Sequence, residues 1–391
     1  MERGSNAGSG AGSAAEGAHA PERRAASDTD DGEVRRRILV LSGGGSEGAY
    51  EAGVLSRLRV TDYDAICGTS IGAINGMMLA CGQGAALHTI WSTIAKNEVV
   101  RGKRPYRRLL NPSASCDVRV AEALRFLWDA VEGHSVGIAD SAPVRAFLTE
   151  YLVSDGAMRT VELPIFWAAA DLTRQCATFF YRFPEHREAA TLRWAPLAGA
   201  LARAGYRVAP GSRDPKIGIE QLRASGACPV LFDPANVEPY VDDTLVDGGV
   251  TDNSPFSLVR LAAVHGPVTV DVVLLEPVSP ARLPARPKLA GILLAAFSTM
   301  RRRLLDDAVR ALVREAALAR SIRSSAPGVP LPGDVLAALN VTVQYVAPAR
   351  PLSGNFWEFA QGPIDANFRL GADDFAANGW RSYATPADLC A

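Results

Sequence analysis

Three glycine-bearing stretches of this 391-residue chain hold residue types that suit acyl transfer. GTSIG (Gly68–Gly72) sets Ser70 between two glycines at G-x-S-x-G spacing. In a nucleophile elbow that spacing marks a sharp strand-to-helix turn, which throws the serine hydroxyl clear of the sheet. SGGGSEG (Ser42–Gly48) puts Gly43, Gly44 and Gly45 ahead of a helical pattern that Gly48 opens. The first N–H groups of a helix are unpaired and carry partial positive charge, so they can hold a developing oxyanion without reorganising. The same glycines match G-x-G-x-x-G from Gly43 to Gly48, a phosphate cradle. That reading needs an acidic residue about 20 residues on, at a strand end. Asp62 and Asp64 come ahead of their strand instead, so the oxyanion cradle ranks first.

A serine nucleophile needs a base. Of the five histidines, only His265 follows Asp247 in the Ser…Asp…His order of a triad, and it closes the helical run SPFSLVRLAAVHG just before a glycine. Asp247 in LVDGG, with Gly248 and Gly249 behind it, ends an apolar strand. A partly desolvated carboxylate there can take the serine proton directly. On its own, Asp-Gly reads equally as a tight turn.

Recognisable elements flank these residues. Arg37–Leu41 is a short apolar run that fits a buried strand, followed by the glycines and a helix carrying Ala49, Ala52, Leu55 and Leu58. Tyr63–Cys67 predicts a second strand, and Ile71, Ile74 and Met78 a helix packed on the sheet. The stretch from Ala85 to about Tyr151 reads as helical and irregular, and Leu163–Phe183 as two strands around a polar turn at Asp171–Gln175. Later strands are expected at Val268–Pro277 and Asn340–Pro348, with Leu305, Val309, Leu312 and Ala316 forming one face of a long helix between them. Strands alternating with helices imply an α/β fold with a largely parallel sheet.

Taken together, LSGGGSEGAYEAGVL, GTSIGAING and VDGGVTDNSP resemble, in this order, the patatin-like phospholipases, or lipid acyl hydrolases. ASGACPVLFDP (Ala224–Pro234), Asn253 and Pro255 are similar to further family positions, and the resemblance spans roughly residues 38–277. It implies a three-layer α/β/α fold with a largely parallel central sheet and a Ser–Asp dyad in place of a triad. Ser70 would be the nucleophile, Asp247 its base and Gly43–Gly45 the oxyanion loop. Gly48, Gly68, Gly72, Gly248 and Gly249 would support the motifs, and neither metal nor organic cofactor is implied. The expected activity is hydrolysis of fatty acyl esters of phospholipids or related lipids at a membrane or micelle surface. The alternatives are a triad esterase using His265 and a catalytically silent binding module. One position departs from the family: Glu47 stands where a basic residue is usual. If Glu47 faces outward over the first turn of its helix, Glu47→Arg is expected to leave ester hydrolysis undiminished.

Composition narrows the class. A net charge of −1 argues against a general nucleic-acid binder. The six cysteines show no CxxC spacing, which speaks against a structural zinc site or a disulfide framework. Residues 1–36, rich in Gly, Ser and Ala, read as a disordered tail without a secretory apolar segment, followed by a catalytic domain over 37–277 and an α/β extension over 278–391 packed on it. KLAGILLAAFSTM (Lys288–Met300) is too short to span a membrane and reads as a buried helix. A cytoplasmic or peripheral membrane location is expected. RGKRPYRR (Arg101–Arg108) reads first as a solvated loop and second as a headgroup contact, Thr299–Arg323 reads as a helix packed on the domain, and the tryptophans as core.

Overall fold

The computed structural model describes residues 35–383 apart from 97–98, 112–114, 135, 155–159, 187, 278–288 and 327. The expected tail therefore lies outside the described residues up to residue 34, and Arg36 already belongs to the first strand.

Twelve strands are described: β1 (Arg36–Leu41), β2 (Ala65–Thr69), β3 (Arg101–Gly102), β4 (Ala139–Asp140), β5 (Ile165–Asp171), β6 (Cys176–Arg182), β7 (Arg207–Pro210), β8 (Ala235–Val237), β9 (Tyr240–Asp247), β10 (Val268–Val273), β11 (Val341–Val346) and β12 (Arg381–Ser382). The helices are α1 (Gly48–Leu55), α2 (Ile71–Ala80), α3 (Leu87–Lys96), α4 (Cys116–Val131), α5 (Ala142–Thr149), α6 (Glu188–Arg203), α7 (Pro215–Ser225), α8 (Phe256–Ala263), α9 (Leu289–Ser325), α10 (Gly333–Leu339) and α11 (Gln361–Asn378). The large sheet runs β12-β11-β10-β1-β2-β5-β6-β7, with β9 also paired to β5 and β8 to β9. The ladders β11–β10, β10–β1, β1–β2, β2–β5 and β6–β7 are parallel.

The sequence of β1 explains its central place. Ile38, Leu39, Val40 and Leu41 are all fully buried, the unbroken apolar run expected of a strand covered on both faces. Because side chains alternate along a strand, Leu39 and Leu41 enter a core shared with α1, α2, α3, α5, α7 and α11. Ile38 and Val40 enter a second core with α6, α8, α9 and α10. The result is the α/β/α layering expected. Among the described residues of α4, none enters either core. Leu305, Val309, Leu312 and Ala316 of α9 are buried as their spacing implies. The start of that helix differs from expectation: Ile292 is 45% and Met300 40% exposed.

Strand register brings the chemistry together. β2 lies alongside β5 as far as Thr69 opposite Ala168. Where β2 turns away, β9 runs antiparallel beside β5 and ends with Asp247 opposite Ala169. Ser70 and Asp247, 177 residues apart, therefore arrive next to consecutive residues of one strand.

Candidate active site

Ser70 sits in the turn between β2 and α2 with φ of 55°, in the left-handed region that few non-glycine residues occupy. Its neighbours make the turn feasible. A Cβ on Gly72 would stand 2.5 Å from the Leu41 carbonyl oxygen, so only glycine lets α2 approach β1 this closely. The Ser70 N–H donates to Ser225 Oγ at 2.9 Å, and the Ser225 hydroxyl donates onward to the Ala168 carbonyl. Ser225, the last residue of α7, thus ties the elbow to β5. It lies in the ASGACPVLFDP segment, whose resemblance to the family was its only signal in the sequence.

The Ser70 hydroxyl donates to Asp247 Oδ2 at 2.6 Å, and Asp247 Oδ1 accepts the Gly249 N–H at 2.8 Å. Burial pushes the Asp247 carboxyl up to about 6, although the two hydrogen bonds and the Arg301 charge oppose the shift. A carboxylate near that value is ionised at neutral pH and still basic enough to accept a proton in a transition state.

The glycine loop lies against the elbow: a Cβ on Gly43 would be 3.1 Å from Ser70 Cβ. The Gly43 N–H, expected as an oxyanion donor, instead donates to the Asn253 carbonyl at 3.0 Å. The Gly44 and Gly45 N–H groups donate to nothing among the described residues. Gly45 has φ of 57°, and a Cβ there would fall 2.1 Å from the Phe356 carbonyl oxygen. The pairing that uses up one amide joins two segments 210 positions apart, which motif spacing does not reveal.

Glu47 does not face outward. It caps no helix with its side chain, and its Oε2 accepts from Arg301 Nη2 at 3.0 Å. Burial and the nearby Glu276 raise the Glu47 carboxyl, against the pull of Arg301. Burial works against the Arg301 charge as well, but Glu276 and Glu47 outweigh it and hold the guanidinium above its ordinary value. An arginine at position 47 would set two guanidiniums together, so undiminished hydrolysis by Glu47→Arg is no longer expected. Arg301 itself escaped sequence reasoning because it lies on α9, 258 residues from Gly43, in a stretch without a motif.

Ser70, Asp247, Gly43–Gly45 and Arg301 line part of a cleft with about 1040 Å³ of free space, some of it open to solvent. Other parts are apolar: Ile71, Ile74 and Met78 along one face of α2, with Ile94, Val99, Val144 and Phe147 beyond them. Ile71 to Met78 is seven helical steps, about 10 Å of depth. Among the described residues, no histidine lines this cleft. His265 is exposed, and its carbonyl takes Arg36 at the N-terminal end of β1, whereas Ser70 follows the C-terminal end of β2. Asp64 is likewise tied to the far end of β1, accepting the Arg37 N–H at 2.8 Å, so it does not serve a phosphate cradle. Among the described residues no His/Cys/Asp/Glu cluster could hold a metal ion, and no helix is long and apolar enough to cross a membrane.

One tryptophan departs from the expected core placement. Trp128 on α4 is 66% exposed, beside Leu124 and Leu127.

A family model described as Patatin-like phospholipase matches residues 39–260. No curated protein matches the chain. Solved structures do, among them the crystal structure of VipD from Legionella pneumophila, at 12% identity and a TM-score of 0.29, covering 89% of this chain and 68% of that one. The family match takes in more than half of the sequence and spans the glycine loop, the serine elbow and the aspartate motif alike; the chain belongs to the patatin-like phospholipase family of lipid acyl hydrolases.

Proposed function

We propose that this enzyme cleaves fatty acyl esters of phospholipids or related lipids through Ser70 and Asp247 alone, by way of an acyl-enzyme. The observation that carries the reading is the 2.6 Å hydrogen bond from the Ser70 hydroxyl to Asp247 at the mouth of an apolar cleft. The acyl chain lies along Ile71, Ile74 and Met78, and its carbonyl carbon meets Ser70 Oγ. As Oγ attacks, its proton passes to Asp247 Oδ2, and the oxyanion is held by the free Gly44 and Gly45 amides. The tetrahedral species collapses, and the departing alcohol takes the proton from Asp247. Water then enters, gives a proton to Asp247 and attacks the acyl-enzyme; release of the fatty acid returns the proton to Ser70.

The enzyme meets its substrate from the aqueous side as a peripheral protein. Val120, Leu124, Leu127, Trp128 and Val131 form an exposed stripe on α4, and Val131 is 82% exposed. Next to it stand Arg104, Arg107 and Arg108, exposed and with no ion pair among the described residues. An apolar stripe beside unpaired cations suits an anionic lipid surface. The segment bearing it also contributes Val99, Val100 and Ser141 to the cleft.

The test is hydrolysis of a phospholipid panel in vesicles and of a soluble ester by wild type, Ser70→Ala and His265→Ala, with fluorophosphonate labelling of Ser70. Activity lost in Ser70→Ala and kept in His265→Ala is expected. Loss in His265→Ala would favour the triad, and an unlabelled Ser70 would favour a silent binding module.

A further inference from the structure

We infer that Arg301 is the positioning residue of the oxyanion loop and that Glu47 is its anchor, an inference that rests on the Ser70–Asp247 reading and deepens it. The Arg301 side chain is 5% exposed, yet it lines the cleft that Ser70 and Asp247 also line. Its Nη1 donates to the Gly43 carbonyl oxygen at 2.9 Å. A trans peptide is planar, so the Gly43 carbonyl and the Gly44 N–H point to opposite sides of one rigid unit. Holding the carbonyl on Arg301 fixes the direction of the Gly44 N–H, the amide left free for an oxyanion. Three successive glycines give the loop no side chain of its own to hold it there. The other donor to the Gly43 carbonyl, Asn253 Nδ2, is farther away at 3.3 Å.

The charges explain why a glutamate stands in the loop. A guanidinium this buried needs partners, and Nη2 lies 3.0 Å from Glu47 Oε2 and 2.9 Å from Glu276 Oε1. This chain carries the cation on α9 and its counter-ion in the loop. Two carboxylates flank the one guanidinium, while its charge still reaches Asp247. Arg301 acts through the geometry of the Gly43–Gly44 peptide.

Two variants test this with a soluble ester. Arg301→Ala is expected to lower kcat about 100-fold, the cost of a small misplacement of catalytic groups, with KM changed less than threefold. Methylguanidinium in solution then restores at least tenfold. The triple variant E47Q/E276Q/R301M removes the cation without leaving buried carboxylates unpaired. It is expected to melt near wild type, to show the same kcat loss, and to label with fluorophosphonate more slowly. Wild-type kcat in the folded triple variant, a raised KM at constant kcat, or no response of Arg301→Ala to methylguanidinium would each overturn the role of Arg301. Ser70→Ala, assayed alongside, separates the two levels: residual activity there sinks the dyad reading, whatever Arg301 does.

Discussion

Replacing Asp247 with asparagine should stabilise the fold while removing the activity, and the pH dependence of the gain identifies the cause. The folded carboxyl titrates near 6 against an ordinary aspartate value of 3.8, chiefly because it is buried. Between these two values the folded chain keeps a proton that the unfolded chain has lost. Stability therefore falls as pH rises through this window and stays reduced above it. About two pH units at 1.36 kcal/mol each give a penalty of about 3 kcal/mol at pH 8, and almost none at pH 4. Asparagine carries no charge in either state and so escapes the penalty. Its Oδ1 can accept the Gly249 N–H, while its Nδ2 donates to a Ser70 hydroxyl turned to accept, so both contacts of the carboxylate are kept. The Asp252 and Asp271 carboxyls, also pushed up to about 6 by burial, remain in both proteins and drop out of the comparison. Urea unfolding of wild type and Asp247→Asn at pH 4.5 and pH 8 gives the difference directly. The variant is expected to gain up to about 3 kcal/mol at pH 8 and about 1 kcal/mol at pH 4.5. It should also lose about 10³-fold in kcat on a soluble ester, within the range for a lost general base. For the wild type, kcat/KM should fall tenfold per pH unit below about 6. A variant less stable than wild type at pH 8, or offset equally at both pH values, would refute a burial-raised carboxyl at this position.

Gly45→Ala should lower kcat on a soluble ester by about 100-fold, because its Cβ would fall 2.1 Å from the Phe356 carbonyl and push the Gly44–Gly45 amides out of place; full activity would remove these amides from the mechanism. The double variant Leu124→Glu, Trp128→Glu should bind anionic vesicles at least tenfold more weakly, since desolvating each large apolar side chain is worth about 1.5–3 kcal/mol. Its loss on vesicle substrate should exceed its loss on a dispersed ester, and equal losses on both would detach α4 from lipid contact.

Legibility in the sequence followed the range of the interaction. The layers of the fold could be read because each strand's pattern is local: the unbroken apolar run of β1 announces burial on both faces. The serine elbow could be read for the same reason, since a tight strand-to-helix approach needs Gly68 and Gly72 within two residues of Ser70. Asp247 alone was equally a turn residue. What distinguishes it is the register of β5, which sets Ala168 against Thr69 and Ala169 against Asp247, and pairing register is not written in either motif. The use of the Gly43 amide by Asn253 and the reach of Arg301 across 258 residues depend on the same kind of long-range placement. Glu47 was misjudged because its local setting, the first turn of a helix, favours a carboxylate in any orientation; the partner that decides its direction lies on α9.

The α4 helix shows a different limit. Val120, Leu124, Leu127 and Val131 recur at helical spacing, and that pattern is identical whether the stripe meets a core or a lipid surface. The polar residues between them fix which way the stripe faces. Glu122 is turned inward to accept the Arg108 and Leu109 N–H groups at 2.8 and 3.1 Å, and Asp129 takes the Tyr106 hydroxyl. The segment 104–109 thus captures acidic side chains that an ordinary surface helix would give to water, and in doing so turns the apolar stripe outward. Tyr106, buried at 2% exposure, anchors that segment while the flanking Arg104, Arg107 and Arg108 stay exposed. One set of hydrogen bonds therefore fixes both the outward stripe and the cations beside it, so a change that frees Asp129 or Glu122 is expected to weaken binding to anionic vesicles without touching Ser70.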